Sequence, residues 1–155
     1  MSGQIELTLP YPISANRYWA TRIVPAGRGR KAMALTYVTA EAKAYKAEIQ
    51  KIASRIGLLQ PLDQRVSMSI RLYPHRPLDW QKRVKKLGDQ WDNSVQCIDL
   101  GNCEKVLADA LQGVIYTDDK WIWHEEKQRM EPDGEARVVV TIAAIHSDPV
   151  RRGLL

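Results

Sequence analysis

Polar and apolar residues alternate from Gln4 to Leu9, with Ile5, Leu7 and Leu9 on one side, which predicts a half-buried strand ended by Pro10 and Pro12. From Ile13 to Val38 the periodicity breaks. Arg, Gly, Ser and Asn accumulate there, and the segment reads as a loop in which Gly27 and Gly29 let the backbone approach a ligand closely. Thr39 opens a helix whose Tyr45, Ile49, Ile52 and Ile56 recur at spacings of four, three and four, and Gly57 stops it. Val66, Met68, Ile70 and Leu72 alternate within a second strand, Arg65 to Tyr73, closed by Pro74 and Pro77. Pro74 to Gln96 is polar and carries Trp80 and Trp91, as expected of an inserted surface loop. Asn102 is positioned to cap a second helix with Cys103, Val106, Leu107, Ala110 and Leu111 as its apolar stripe; Asn102, Lys105 and Asp109 share a different face. Trp121 to Met130 and Ala136 to Ile145 read as strands joined at Pro132-Asp133-Gly134, an expected hairpin.

The order β-α-β-α-β-β implies a two-layer α/β (α+β) domain, a mixed β-sheet with helices on one face. A chain of 155 residues is long enough for one core and too short for two full domains, so residues 1–145 are expected to form one domain. Residues 146–155, with Pro149, Arg151, Arg152 and Gly153, are expected to be a flexible tail. No run approaches the ~18 apolar residues of a membrane span, and Met1-Ser2-Gly3-Gln4 lacks signal-peptide character. The expectation is a soluble cytoplasmic protein with no membrane partner. Cys97 and Cys103 lack the spacing of a zinc site and read as reduced, buried thiols. A net charge of +5 and a pI near 9.3 favour an anionic partner.

Candidate chemistry concentrates between Ile98 and Asp119, IDLGNCEKVLADALQGVIYTDD. Asp99 stands just before a helix, Lys105 lies one turn into it, and Asp118 and Asp119 follow its end. Phosphodiester hydrolysis needs an activated water and stabilisation of charge on the phosphate. Carboxylates from separate elements can hold Mg²⁺ for this purpose, and a lysine can neutralise developing charge. The same residue types also serve ordinary ends: an Asp ahead of a helix caps it, and paired aspartates in a loop are solvated.

The chain resembles the RusA family of Holliday junction resolvases from about Ile5 to Ile145. Three signatures in order carry this: LPYPISANRYW, VTAEAKAYK and DLGNCEKVLADALQGVIYTDD. The resemblance implies a Mg²⁺-dependent homodimer, with Mn²⁺ able to substitute, that binds four-way junction DNA and makes paired symmetric nicks, often in a phage setting. It implies that Asp99 and Asp119 hold metal, that Lys105 is catalytic, and that Asn102 and Asp118 support them, Asp118 as a further metal ligand. The family's middle aspartate falls on Gly101. Asp118 or Glu104 supplies the missing oxygen, or fewer carboxylates suffice, or the protein binds junctions and cuts poorly.

A junction presents phosphates on several arms, so cations spread over a broad face are required. Asn16, Arg17, Arg22, Arg28, Arg30 and Lys31 in the first loop and Arg76, Lys82, Arg83, Lys85 and Lys86 in the second are the candidates, the second loop having solvation as its plain alternative. Asn16 orients a metal ligand or phosphate, or only caps a turn with Tyr18 filling core. Trp121 and Trp123 stack at the junction centre, or pack in the core or a dimer interface.

Overall fold

A computed structural model describes residues 3–146. In chain order the elements are β1 (Gln4–Pro10), α1 (Ala15–Tyr18), β2 (Trp19–Val24), β3 (Met33–Val38), α2 (Ala40–Arg55), β4 (Val66–Tyr73), α3 (Trp80–Leu87), α4 (Leu100–Leu111), β5 (Ile122–Arg129) and β6 (Arg137–Ala144). The main sheet has the order β1-β6-β4-β5; β6 is antiparallel to both of its neighbours and β5 is parallel to β4. The mixed α+β class is as expected.

The alternation in β4 builds the core. Val66, Met68, Ile70 and Leu72 are all buried, and the last three sit opposite Ile142, Val140 and Val138 of β6, so the apolar sides of the two strands coincide. Helix α2 is capped by Thr39, whose Oγ1 accepts from the Ala42 N–H, and buries Ala42, Tyr45, Ile49 and Ala53. Gly57, at φ +78°, takes the left-handed turn that ends it. Helix α4 packs on α2, β4 and β5 through Cys103, Val106, Leu107, Ala110 and Leu111. Each such buried Leu, Ile or Val contributes roughly 1.5–3 kcal/mol. Cys97 and Cys103 are free, the first half-buried and the second buried.

Four expectations are corrected. Residues 13–38 are not a loop: they form α1 and the hairpin β2–β3, a separate two-stranded sheet. Its strands escape the alternation test because β3 is exposed on both faces up to Tyr37. The segment 74–96 contains α3 and a 3-10 stretch, Gly88–Ser94; α3 buries nothing, while Trp91 is buried with its Nε1 donating to Glu131. β5 and β6 are not a hairpin, since β4 lies between them. The turn chemistry is local, whereas the central place goes to the strand with a continuous apolar face, and β5, mostly exposed, suits an edge. Finally, Asp99, not Asn102, caps α4. Beyond His146 the expected tail lies outside the described residues, among which no helix is long and apolar enough to cross a membrane.

Candidate active site and DNA-contacting surface

Helix α4 organises the site. Asp99 Oδ1 accepts from the Asn102 N–H at 2.7 Å, satisfying one of the free donors of the first turn. The chain entering that turn is pinned by Tyr11, whose hydroxyl accepts from the Ile98 N–H at 2.8 Å. Burial pushes the Tyr11 phenol up to about 12, so it stays neutral. The Asn102 side chain turns away from α4 and accepts from the Ala15 N–H, fastening α1 to the helix. Lys105 Nζ lies 5.1 Å from the centre of the Trp19 ring, and Asp109 accepts from the buried Tyr18 hydroxyl. The shared face expected for Asn102, Lys105 and Asp109 therefore meets α1 and β2. Between them runs a groove of about 530 Å³ lined by Asn16, Trp19, Thr21, Thr36 and Lys105. Asn16 is exposed there and Tyr18 is core.

Asp118 and Asp119 belong to the other end of the helix. After α4 the chain turns at Gly113, φ +79°, and the Asp119 N–H donates to Gln112 Oε1 at 3.0 Å. Asp118 accepts from the Lys120 N–H, capping a single 3-10 turn. Twelve helical residues separate Asp99 from Gln112, a length of about 18 Å at ~1.5 Å per residue. Two oxygens on one Mg²⁺ lie within about 4 Å of each other, given ligand distances of ~2.0–2.1 Å. Among the described residues no three Asp, Glu, His or Cys side chains gather as a metal site. Within one chain, the aspartates do not fit a single ion.

Gly101 leaves space beside Asp99. A Cβ built there meets only Asp99 Oδ1, at 3.6 Å, an ordinary contact. Glu104 is not free to replace the missing carboxylate, because it pairs with Lys127 of β5. Glu125, one residue pair back along β5, completes a cluster that the sequence reading missed. Its Oε1 is buried without a hydrogen-bond partner among the described residues. Burial, and then the neighbouring Glu104 carboxylate, push Glu125 up to about 7. The hydrogen bond between Glu104 and Lys127 holds Glu104 below its ordinary value and Lys127 above its own. The signal was the register: Glu125 and Lys127 stand beside Met68 and Ile70, on the core side of the sheet.

The basic candidates divide by what they touch. Arg17 pairs with Glu41, and Arg83 with Asp79 at 2.8 Å and the Ser94 carbonyl at 3.0 Å. Arg76 lies over Trp80 at 4.6 Å, and Arg22 over Tyr37 at 6.0 Å. Arg28, Arg30 and Lys31 occupy the exposed connection of the β2–β3 hairpin, and Lys82, Lys85 and Lys86 are exposed on α3. None of these six makes an ion pair among the described residues. Trp121 donates to Asp63 and Thr117 at the start of β5. Trp123 is 60% exposed beneath the Arg65 guanidinium and is not core.

Comparison with curated protein sequences returns no match. A family model described as endodeoxyribonuclease RusA matches residues 10–143, from the end of β1 almost to the end of β6, and so takes in α4, both its flanking aspartate positions and the hairpin. With most of the chain matched, the protein belongs to the RusA endodeoxyribonuclease family.

Proposed function

We propose that the protein is a cytoplasmic, divalent-metal-dependent endonuclease that resolves four-way DNA junctions by paired symmetric nicks, acting as a homodimer with Mg²⁺ or Mn²⁺. The observation that carries this reading is the placement of Asp99 as the cap of α4 and of Lys105 one turn into that helix, where the lysine lines an open groove with Trp19 and Asn16. A phosphate lying in that groove meets the Lys105 ammonium, which neutralises charge as the phosphorus is attacked. The indole of Trp19 offers a flat face to a base displaced at the branch point. Asp99 and the aspartates beyond α4 are the carboxylates for metal, with Asp118 supporting Asp119. Arg28, Arg30 and Lys31 on the hairpin and Lys82, Lys85 and Lys86 on α3 hold the arms through phosphate, and selectivity comes from the shape of the junction.

Gly101 supports a second reading, in which the protein binds junctions and cuts weakly because one carboxylate is missing. Cleavage of a labelled four-way junction in Mg²⁺, Mn²⁺ or EDTA, beside Asp99→Asn and Asp119→Asn and a binding assay, separates the two. Metal-dependent paired nicks lost in both variants are expected. Tight binding with no cut in either metal overturns the enzymatic reading. Preference for forks or single strands over junctions in competition overturns the substrate.

A further inference from the structure

We infer that a second groove, bordered by the residues that lead into Asp99, receives one unstacked nucleobase of the strand being cut, and that Leu78 is the wedge that displaces it. This rests on the junction-nuclease reading and names the part of the DNA that the chain takes hold of beside the cut. The groove has a volume of about 520 Å³, and Tyr11, His75, Pro77, Arg83, Cys97 and Ile98 are among its lining residues. Sites for small ligands span ~300–1,000 Å³. Cys97 and Ile98 are the two residues ahead of Asp99, so the groove adjoins the carboxylate at the head of α4. Tyr11 ties its wall to that segment: the hydroxyl accepts from the Ile98 N–H at 2.8 Å and donates to Cys97 Sγ at 3.6 Å. A base seated there lies against the stretch of chain that sets Asp99.

A nucleobase has two apolar faces and a polar edge, and the lining matches both. Pro77, Cys97 and Ile98 offer surface to the faces. Arg83 serves the edge: Asp79 holds its Nε at 2.8 Å and Ser94 its Nη1, which fixes the guanidinium, while Nη2 makes no hydrogen bond among the described residues and is available to a base acceptor. A single exposed leucine is ordinary on a protein surface. Leu78 differs in being wholly exposed on a fastened turn, immediately after the groove-lining Pro77. The Trp80 N–H donates to the Pro77 carbonyl at 3.1 Å, the Arg76 N–H to the Gly134 carbonyl at 2.9 Å, and Asp79 pairs with Arg83. Lys82, Lys85 and Lys86 of α3 follow, exposed, as cations for the phosphates on either side of an inserted side chain. Apolar side chains mounted among cations in this way enter base steps and unstack them. At a branch point the stack is already interrupted, so a base leaves it there at least cost.

Cys97 allows the base to be located chemically. The chain has two cysteines and Cys103 is completely buried, so Cys97 is the thiol within reach of an occupant of the groove. Four-way junctions are built with one base, moved in turn around the branch point, tethered to an activated alkyl disulfide. The Cys97 thiolate attacks the tether sulfur, forms a mixed disulfide with the DNA and releases the small thiol, so the exchange needs no outside oxidant. In EDTA, with cutting stopped, cross-linking is expected at one nucleotide beside the cut phosphate and is lost in Cys97→Ser. 2-Aminopurine at that nucleotide should brighten on binding as it leaves the stack. Leu78→Ala, at a fully exposed position that carries no packing, should lose the brightening with junction affinity kept; Ala136→Phe, which fills the groove, should lose the brightening and the cross-link. If wild type cuts junctions but cross-links nowhere, or equally at every nucleotide, the base pocket is overturned and the nuclease reading stays. If one nucleotide cross-links and brightens in junctions that Mg²⁺ and Mn²⁺ leave uncut, the pocket stands and the nuclease reading falls. Full brightening in Leu78→Ala overturns the wedge and with it the inference.

Discussion

Replacing Gly101 tests the geometry at the head of α4. The residue is exposed in the first turn, and a Cβ there meets only Asp99 Oδ1 at 3.6 Å, so nothing in the packing demands glycine. Glycine costs a helix interior roughly 0.5–1 kcal/mol relative to alanine. Taking the lower figure for an early position, Gly101→Ala should raise the melting temperature by about 1–2 °C, since about 1 kcal/mol moves a chain of this size by ~2–4 °C. Gly101→Asp adds two opposed electrostatic effects. The N-terminal dipole of the helix favours a carboxylate by ~0.3–1 kcal/mol. Repulsion from Asp99 costs about 0.8 kcal/mol for charges ~5 Å apart in water. The aspartate variant should therefore melt within about 2 °C of wild type in EDTA, and gain more than wild type when Mg²⁺ is added, because a bound cation relieves that repulsion. Differential scanning fluorimetry with and without Mg²⁺ reads both. A fall of more than about 3 °C for Gly101→Ala would refute the open position, because only a close backbone approach could produce it.

Tyr18→Phe removes the hydroxyl that donates to Asp109 from within the core, and urea denaturation should show a loss of about 1.5–3 kcal/mol. Glu125 is raised to about 7 by burial and by Glu104, so its folded form holds a proton that the unfolded chain releases nearer pH 4. Its ionisation weakens the fold as pH rises through 7; Glu125→Gln should out-melt wild type at pH 8, with the gap closing by pH 5. Converting Lys82, Lys85 and Lys86 of α3 to alanine should lower the log–log salt slope of junction binding by about 2.7, and an unchanged slope would remove α3 from the DNA surface.

How far the chain could be read from its sequence depended on whether an element has one buried face. β4, α2 and α4 do, and their apolar residues repeat at the periods of strand and helix. The β2–β3 hairpin has none in the isolated chain, so Met33 to Tyr37 carried no alternation and were taken for loop. The parallel pairing of β4 with β5 is non-local, and a turn at Pro132-Asp133-Gly134 says nothing about a strand that arrived earlier in the chain. Asp99 was legible because capping leaves a signature. The distance between Asp99 and Asp119 was also implicit in the helix between them, but family resemblance identifies matching positions and not how far apart the fold holds them. Glu125 was hidden because an acidic residue on the core side of an edge strand violates the pattern used to find strands.

The position of β6 bears on how the protein comes into being. It is the last strand among the described residues, yet it lies between β1 and β4 and pairs with both along its length. Until residues 137–144 have been synthesised, the first strand and the central strand have no common partner, and two rows of backbone donors and acceptors stay open to water. The sheet therefore closes only once β6 is available, over long sequence separations that make folding slow. A chain lacking that strand leaves α4, and with it Asp99 at its head, resting on a sheet whose central strand β4 has lost the partner along one whole side.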